Sequence, residues 1–290
     1  MGCMRLTRVK RARAAEAVAR AILGASALLV VAAAAFLVLY IAKKGLPGLS
    51  WEFLTEVPKN RGREGGIYPA LVGTLYVVAC TGLFAVPLGV LGGVYLSEYA
   101  PKKRSTRIIR LAVANMAGVP SIVYGLFGLA AFVLAAGFGR SIIAASLTLT
   151  CMTLPVIVTA TEEALRQVPA DLRHAALALG ASKIRTVLSV VLPAAAPGIV
   201  TGVVLGLARA AGETAPILFT GAVFQMRRLP DGLGSQFMAL PYHIYTQVTS
   251  VPNWNRDLVW GTALVLVASV SAASAAAAIW RSARRRRISW

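Results

Sequence analysis

The amino-acid sequence predicts an all-α integral membrane protein with six transmembrane helices, and three observations lead to this fold class. Hydrophobic residues make up 57% of the 290 residues and charged residues only 14%, whereas about 25% charged residues are usual in soluble domains. Six apolar stretches approach the length of about 20 residues that crosses a hydrocarbon core. The net charge of +19 is unevenly distributed along the chain, as is typical of a multi-pass membrane protein.

The six predicted spans cover residues 21–42, 70–96, 111–136, 141–161, 192–221 and 258–280. The first span is too long for the apolar core of a cleaved signal peptide and ends on Lys43-Lys44, so we interpret it as a retained anchor. The chain then divides into a basic segment with this anchor and an outer loop (1–66), a transmembrane domain (67–281) and a basic tail (282–290).

The basic residues predict how the chain is oriented. Twenty of the thirty lie on one side of the predicted membrane, in both termini and in the loops 102–110 and 162–191, and nine lie on the other side. Because cytoplasmic loops carry an excess of Lys and Arg, we expect both termini in the cytoplasm, with the spans in a cytoplasmic membrane. The positive charge therefore indicates topology, and we expect no nucleic-acid partner.

No arrangement of side chains in the sequence predicts catalysis or metal binding. The three cysteines and two histidines (Cys3, Cys80, Cys151, His174 and His243) lie far apart, without the spacing of metal ligands. A phosphate-binding GxxxxGK[ST] motif and a CxxC motif are also missing from the sequence. We therefore expect that this chain is not an enzyme and binds no metal or cofactor itself.

The loop between the fourth and fifth predicted spans, residues 162–191, contains two amphipathic segments. Apolar residues recur at i, i+3, i+4 and i+7 in each, which predicts two short helices. Gly180 and Ser182 separate them, as a helix stop and a helix cap. The helices could lie at the lipid interface or dock on another protein; small residues favour docking. The stripes are Leu172, Ala175, Ala176 and Leu179, then Ile184, Val187, Leu188 and Val191.

The same loop resembles the EAA loop of ABC-importer permeases, whose pattern is EAA-x3-G-x9-I-x-LP. His174-Ala175-Ala176, Gly180 and Leu192-Pro193 match it, although His174 replaces the usual Glu and Val190 the usual Ile. The resemblance implies a type I importer core, in which this loop couples the membrane helices to a separate subunit that binds ATP and Mg. The implied coupling residues are Leu172, His174, Ala175, Ala176, Leu179, Gly180, Ile184, Val187 and Leu188.

Two charges, Arg209 and Glu213, lie inside the fifth predicted span, four residues apart. Glycines repeat every four residues from Gly198 to Gly206, and helical geometry places both charges near this face, towards neighbouring protein. Either the two form a structural ion pair, or they line a path for an anion, because guanidinium binds tetrahedral oxyanions through two N–H groups. Pro216 is expected to break the helix just beyond them.

Three segments, 118–129, 208–222 and 240–248, resemble the permease subunits of phosphate ABC importers. The resemblance implies a sister permease, two ATP-binding subunits and an extracytoplasmic phosphate-binding protein as partners, besides membrane lipid. We predict a substrate pathway through Arg209, Glu213, Ser121 and Thr214. A permease for sulfate or molybdate and a non-transporting membrane scaffold or sensor are the alternatives. Arg140 is expected to reach the lipid interface or to line the outer opening of the pathway.

Overall fold

A computed structural model describes residues 2–101, 103–226 and 228–285, leaving aside the side chains of 2–15, 61, 284 and 285. Lys102 and Arg227, two of the charges used to predict orientation, lie outside the described residues. The same is true of most of the basic tail, from residue 286 onwards. The described chain is predominantly helical, with one pair of two-residue strands on the outer side of the predicted topology.

The helices follow one another with few long connections, and π-helical turns extend or join three of them. Strand β1 (Pro58–Lys59) pairs antiparallel with β2 (Glu64–Gly65). The π-helical turns are Tyr95–Tyr99 after α3, Leu129–Ala135 after α5, and Val187–Val191 between α8 and α9. The helices are α1 (Gly2–Gly45), α2 (Trp51–Thr55), α3 (Tyr68–Val94), α4 (Arg104–Met116), α5 (Ser121–Gly128), α6 (Ile142–Arg166), α7 (Ala170–Ala178), α8 (Lys183–Thr186), α9 (Leu192–Gly212), α10 (Ala215–Thr220), α11 (Leu240–Ser250) and α12 (Arg256–Arg285).

Five helical segments in the described chain are long and apolar enough to cross a membrane, which confirms five of the six predicted spans. They cover 16–48, 68–99, 142–166, 183–212 and 256–283. The third predicted span differs, because α4 and α5 meet at 102° and form a sixth span only if the bent pair is counted as one. The predicted span over 111–136 is therefore a bent pair of helices and not one straight helix.

The bend between α4 and α5 follows from local sequence. Pro120 has no N–H to donate to a continuing helix, and Gly118 lowers helix propensity beside it. The buried hydroxyl of Tyr124 donates to the Met116 carbonyl at 2.8 Å, which satisfies a backbone group that the broken helix leaves free. Tyr124, in the first turn of α5, therefore links α5 to the end of α4 and stabilises the bend.

The fifth predicted span also ends differently. It was predicted to reach Gly221, but α9 ends at Gly212, Glu213 is extended (φ −76°, ψ 134°) and α10 starts at Ala215. The break predicted at Pro216 is confirmed and begins a turn earlier. At the other end, α8 is continuous with α9, so the second short helix predicted over 183–191 is the start of this span and not a separate element.

Helix α6 lies at the centre of the fold, between α3 and α9, and most of its residues are buried. The glycine face predicted on α9 packs against it: a Cβ added at Gly198 would lie 2.7 Å from Ala164 Cβ, and one at Gly202 would overlap Ala160 Cβ. The close packing of α6 and α9 therefore depends on these glycines, as predicted.

Helix α1 stands apart from this core. Its side chains from 16 to 40 are exposed, and it contacts the rest of the chain through its last turn. Gly45 is buried there, where an added Cβ would lie 2.6 Å from the Trp260 carbonyl oxygen of α12. The rings of Tyr40 and Trp260 also meet edge to face, 5.5 Å between centroids.

On the predicted outer side, α11 is anchored to the β1–β2 hairpin through buried polar groups. Gln247 Nε2 donates to the Gly62 carbonyl at 2.6 Å, and Gly62 has a φ of +81°. His243 lies one turn away, 4% exposed. Its Nδ1 has no hydrogen-bond partner within the described structure. Burial lowers the pKa of His243 to about 4, so the ring is neutral at pH 7.

Acidification from pH 7 to pH 4 is therefore expected to destabilise the protein. In the unfolded chain His243 has its usual pKa of about 6.5, so between about pH 6.5 and 4 the unfolded state binds more protons. The free energy of unfolding is therefore unaffected by His243 above about pH 6.5 and is lower by up to about 3 kcal/mol at pH 4. Melting temperatures in detergent should show a flatter pH profile for His243→Gln. His174→Gln, which replaces an exposed histidine, should keep the wild-type slope; a wild-type slope in the His243 variant would contradict the prediction.

Candidate transport and coupling sites

Two breaks in the helices lie next to each other in the fold. After the bend, α5 packs against α10, so that a Cβ added at Gly125 would lie 3.0 Å from the Ala215 carbonyl oxygen and 3.1 Å from Pro216 Cα. Tyr124 and Ile217 belong to the same apolar cluster. The structure thus brings together the segments 118–129 and 208–222, which are far apart in the sequence. Helix breaks of this kind expose backbone groups where membrane transporters bind substrates.

Arg209 and Glu213 form the ion pair that their spacing predicts, with Arg209 Nε 3.3 Å from Glu213 Oε1. The Glu213 side chain is 17% exposed and lines a small cavity with Leu149 and Phe237. The Arg209 side chain is 42% exposed. Its charge interacts electrostatically with Tyr124 of α5. Within this chain, only Glu213 thus points into protein as expected, whereas Arg209 extends from the surface beside the two helix breaks.

Ser121 and Thr214 each stand at the start of a helix beside these breaks. Ser121 is the first residue of α5, and Thr214 precedes α10 directly. Both are half-buried, and in the described part of the chain neither side chain has a hydrogen-bond partner. The structure therefore places both next to the breaks, and their role in a substrate pathway stays a prediction.

Arg140 has a contact that sequence reasoning missed. Its Nη2 donates to the carbonyls of Leu218 at 2.8 Å and Ala222 at 3.2 Å. These are carbonyls at the end of α10, where a cation is favourable. Arg140 thus fixes the far end of the short helix that begins after Glu213. No periodicity in the sequence indicates this contact, because the residues are 78 and 82 positions apart.

The predicted coupling segment is a helix, a glycine turn and the start of the next helix. Gly180 has a φ of +82° with open space around it, as a left-handed stop requires. Ser182 Oγ accepts a hydrogen bond from the Arg185 N–H at 3.4 Å, which is the predicted cap. The segment follows the end of α6 at Arg166, and after the glycine turn it continues without a break into α9.

The apolar residues of this segment divide into two groups. Leu172 and Val191 belong to the apolar cluster formed by the end of α6 and the start of α9, and Val187 is buried as well. Leu179 is 89% exposed, and Leu177, Ile184 and Leu188 are exposed as well. Each of the two predicted stripes thus contains residues that pack within this chain and residues that are exposed on its surface. His174, Ala175 and Gly180 are exposed on α7 and its turn, and Ala176 is half-buried.

Arg173 attaches α7 to the membrane helices. Its Nη2 lies 2.8 Å from Glu98 Oε1 in the π-helical turn after α3, and its guanidinium also donates to the carbonyls of Leu165 and Val168 at 2.7 Å each. The Arg173 side chain is 21% exposed and the Glu98 side chain 10%. One arginine therefore holds together the ends of α3 and α6 and the start of α7.

A second ion-pair group lies at the same end of the molecule. Glu162 of α6 pairs with Arg166 at 2.5 Å, and Arg110 Nε of α4 lies 2.8 Å from the same carboxylate oxygen. Arg110 also donates to the Leu96 carbonyl at 2.7 Å. The sequence indicates Arg110, Arg166 and Arg173 only as markers of orientation, because the acidic partners of Arg110 and Arg173 lie far away in the sequence.

Replacing Arg173 with alanine is expected to loosen α7. The change leaves the carboxylate of Glu98 and two carbonyls without their partner, at a cost of about 2 kcal/mol for groups that are not fully buried. Hydrogen–deuterium exchange over residues 170–178 should become about 10- to 30-fold faster. Arg166→Ala, which removes a more exposed arginine from the end of α6, should leave this exchange nearly unchanged. Equal exchange in the Arg173 variant and the wild type would contradict the docking role.

A membrane-spanning α6 packed between α3 and α9, with a helix–glycine–helix segment at one end, is the arrangement expected of a permease subunit of an ABC importer. The fold aligns with a chain of the methionine ABC transporter MetNI, solved in inward-facing conformations, with a TM-score of 0.60 and 21% identity. The alignment covers 75% of this chain and 97% of that chain.

Residues 85–289 match the family described as "Binding-protein-dependent transport system inner membrane component", and the chain belongs to this family. It is 42% identical to "Phosphate transport system permease protein PstA 1" of Mycobacterium tuberculosis, over 77% of this chain and 73% of that protein. It is 41% identical to "Probable ABC transporter permease protein YqgI" of Bacillus subtilis, over 72% and 71%. The predicted permease fold is thereby confirmed, and the protein is a multi-pass membrane protein.

Proposed function

We propose that this chain is a permease subunit of an ATP-driven importer and moves inorganic phosphate into the cytoplasm by alternating access. The observation that carries the proposal is Arg209, which extends its guanidinium from the surface beside two helix breaks. A partly free guanidinium can bind two oxygens of a tetrahedral anion at once. The relatives named as phosphate transport permeases support phosphate as that anion.

Glu213 gives the site a means to discriminate between oxyanions. At neutral pH, phosphate still carries protons and can donate a hydrogen bond to a carboxylate, whereas sulfate and molybdate are fully ionised. The Glu213 carboxylate, 3.3 Å from Arg209, accepts such a bond and repels an anion that has no proton to offer. Ser121 and Thr214 add hydroxyl donors at the same breaks, where their side chains have no other partner in the described chain.

The proposed assembly follows from the division of labour in the family. A sister permease completes the pathway on the side of Arg209, and two ATP-binding subunits contact the exposed side of residues 170–191. Those subunits hold ATP and Mg, so that this chain needs neither a cofactor nor a catalytic residue. An extracytoplasmic phosphate-binding protein delivers the substrate. Both termini lie in the cytoplasm, in agreement with the distribution of basic residues.

Uptake of labelled phosphate into vesicles that contain all these partners tests the proposal. We expect ATP-dependent uptake that a tenfold excess of unlabelled phosphate abolishes and the same excess of sulfate or molybdate leaves nearly unchanged. Inhibition by sulfate or molybdate as strong as by phosphate would favour a permease for another oxyanion. An assembled complex that transports none of these anions would contradict the proposal and favour a scaffold.

A further inference from the structure

A cavity of about 350 Å³ lies where the end of α1 meets the start of α12, separate from the transport and coupling sites. Aromatic and charged side chains line it. Its lining consists of Tyr40, Lys44, Trp254, Arg256, Asp257 and Trp260. None of these residues has a role in the proposed transport mechanism.

The position of the cavity places it at the level of lipid headgroups. Helix α1 ends at Gly45 and α12 begins at Arg256, so both apolar spans begin or end at the cavity. Trp and Tyr are the residues that proteins concentrate at this level, because one side of the ring is apolar and the other polar. The side chains of α1 from 16 to 40 are exposed, so an acyl chain can lie along α1 and reach the cavity.

The charged side chains that line the cavity favour the binding of an anion. Lys44 and Arg256 have no ion pair within the described residues, and neither has the carboxylate of Asp257. Two cations and one anion leave one positive charge to balance. A zwitterionic headgroup would leave that charge uncompensated, whereas a headgroup with one net negative charge neutralises it.

We propose that this cavity binds the headgroup of an anionic phospholipid of the phosphatidylglycerol type. The phosphodiester lies between Lys44 and Arg256, and a glycerol hydroxyl of the headgroup donates to Asp257. The rings of Tyr40, Trp254 and Trp260 contact the glycerol backbone and the first methylenes of the acyl chains. Free phosphate has no such apolar part, so the aromatic lining selects the lipid. The lipid thereby joins α1, which has few contacts of its own, to the helical core.

Native mass spectrometry of the full-length chain in detergent tests the proposal, with phosphatidylglycerol and phosphatidylcholine offered in equal amounts. We expect about tenfold preferential retention of phosphatidylglycerol, and loss of the preference in the double variant Lys44→Gln/Arg256→Gln. Lys59→Gln/Arg63→Gln is the matched control, because it removes two positive charges from the outer hairpin. It should retain the preference. If the double variant does not fold, Lys44→Gln alone, at an exposed helix end, should halve the retention or more.

Equal retention of both lipids by the wild type would overturn the proposal, as would an unchanged preference in the double variant or in Lys44→Gln. A parallel measurement separates lipid from free phosphate. Phosphatidylglycerol should raise the melting temperature of the wild type, and millimolar inorganic phosphate should not. A rise with inorganic phosphate that disappears in the double variant would assign the cavity to free phosphate and contradict the lipid assignment.

Discussion

Replacement of Arg209 by methionine is expected to lower the rate of phosphate uptake by about 10- to 100-fold, because hydrogen bonds to a charged group contribute about 1.5–3 kcal/mol. Methionine keeps much of the volume of the side chain but removes the charge and the paired N–H donors. The Arg209 side chain is 42% exposed in this chain, so its replacement should leave the fold of the chain intact. Uptake in vesicles, measured together with ATPase activity, distinguishes a lost pathway from a lost complex.

Two further variants separate the pathway from a structural ion pair. Arg209→Lys keeps the charge without the planar pair of donors, and we expect it to recover only part of the rate. Glu213→Gln should leave Arg209 free to bind an anion and should increase inhibition by sulfate. If Arg209→Met reduced the melting temperature but not the uptake rate, the pair would be structural and the pathway assignment would fail.

Removal of the exposed apolar side chains from the coupling segment is the change with the second largest expected effect. The triple variant Leu179→Ala/Ile184→Ala/Leu188→Ala truncates residues that are 89%, 61% and 58% exposed, so the isolated chain loses little stability. If an ATP-binding subunit covers them, each truncation costs about 1–2 kcal/mol of association. The complex should then bind its ATP-binding subunits at least about 100-fold more weakly, as a pull-down titration can measure.

An exposed leucine of α3 and a buried valine of the coupling segment provide controls for this experiment. Leu83→Ala removes a leucine in the middle of α3 that is 70% exposed, and association should be unchanged. Val187→Ala, in contrast, truncates an anchor that is 3% exposed, and it should lower stability more than association. Wild-type affinity in the triple variant would mean that these residues face lipid, which is the interpretation that the sequence left open.

The sequence predicts five of the spans and their approximate positions because apolar length is a property of the local chain. It also predicts the packing face of α9, since Gly198 and Gly202 repeat at the helical period. The 102° bend before Ser121 was beyond reach: Gly118 and Pro120 indicate a weak point, but its angle depends on the contact of Gly125 with α10. The break in the fifth span was likewise predicted at Pro216, whereas α9 ends about one turn earlier, at Gly212.

The coupling segment shows a different limit of sequence reasoning. Ile184 and Val187 have the same apolar character and both fit one helical stripe, yet Ile184 is exposed and Val187 is buried. Periodicity indicates that apolar residues share one face of a helix. It does not indicate whether that face contacts the same chain or a partner. Long-range ion pairs such as Glu98 with Arg173 are missed for a related reason, because their residues are 75 positions apart.

The π-helical turn Val187–Val191 sets the angular phase between two surfaces on one continuous helix. A π-helical turn accommodates one residue more than an α-helical turn, so the residues before it are rotated relative to the residues after it. Ile184 lies before the turn and is exposed, and Gly198 and Gly202 lie after it and pack on α6. In the proposed mechanism an ATP-binding subunit contacts Ile184. The direction in which its movement reaches α6 would then depend on this one π-helical turn.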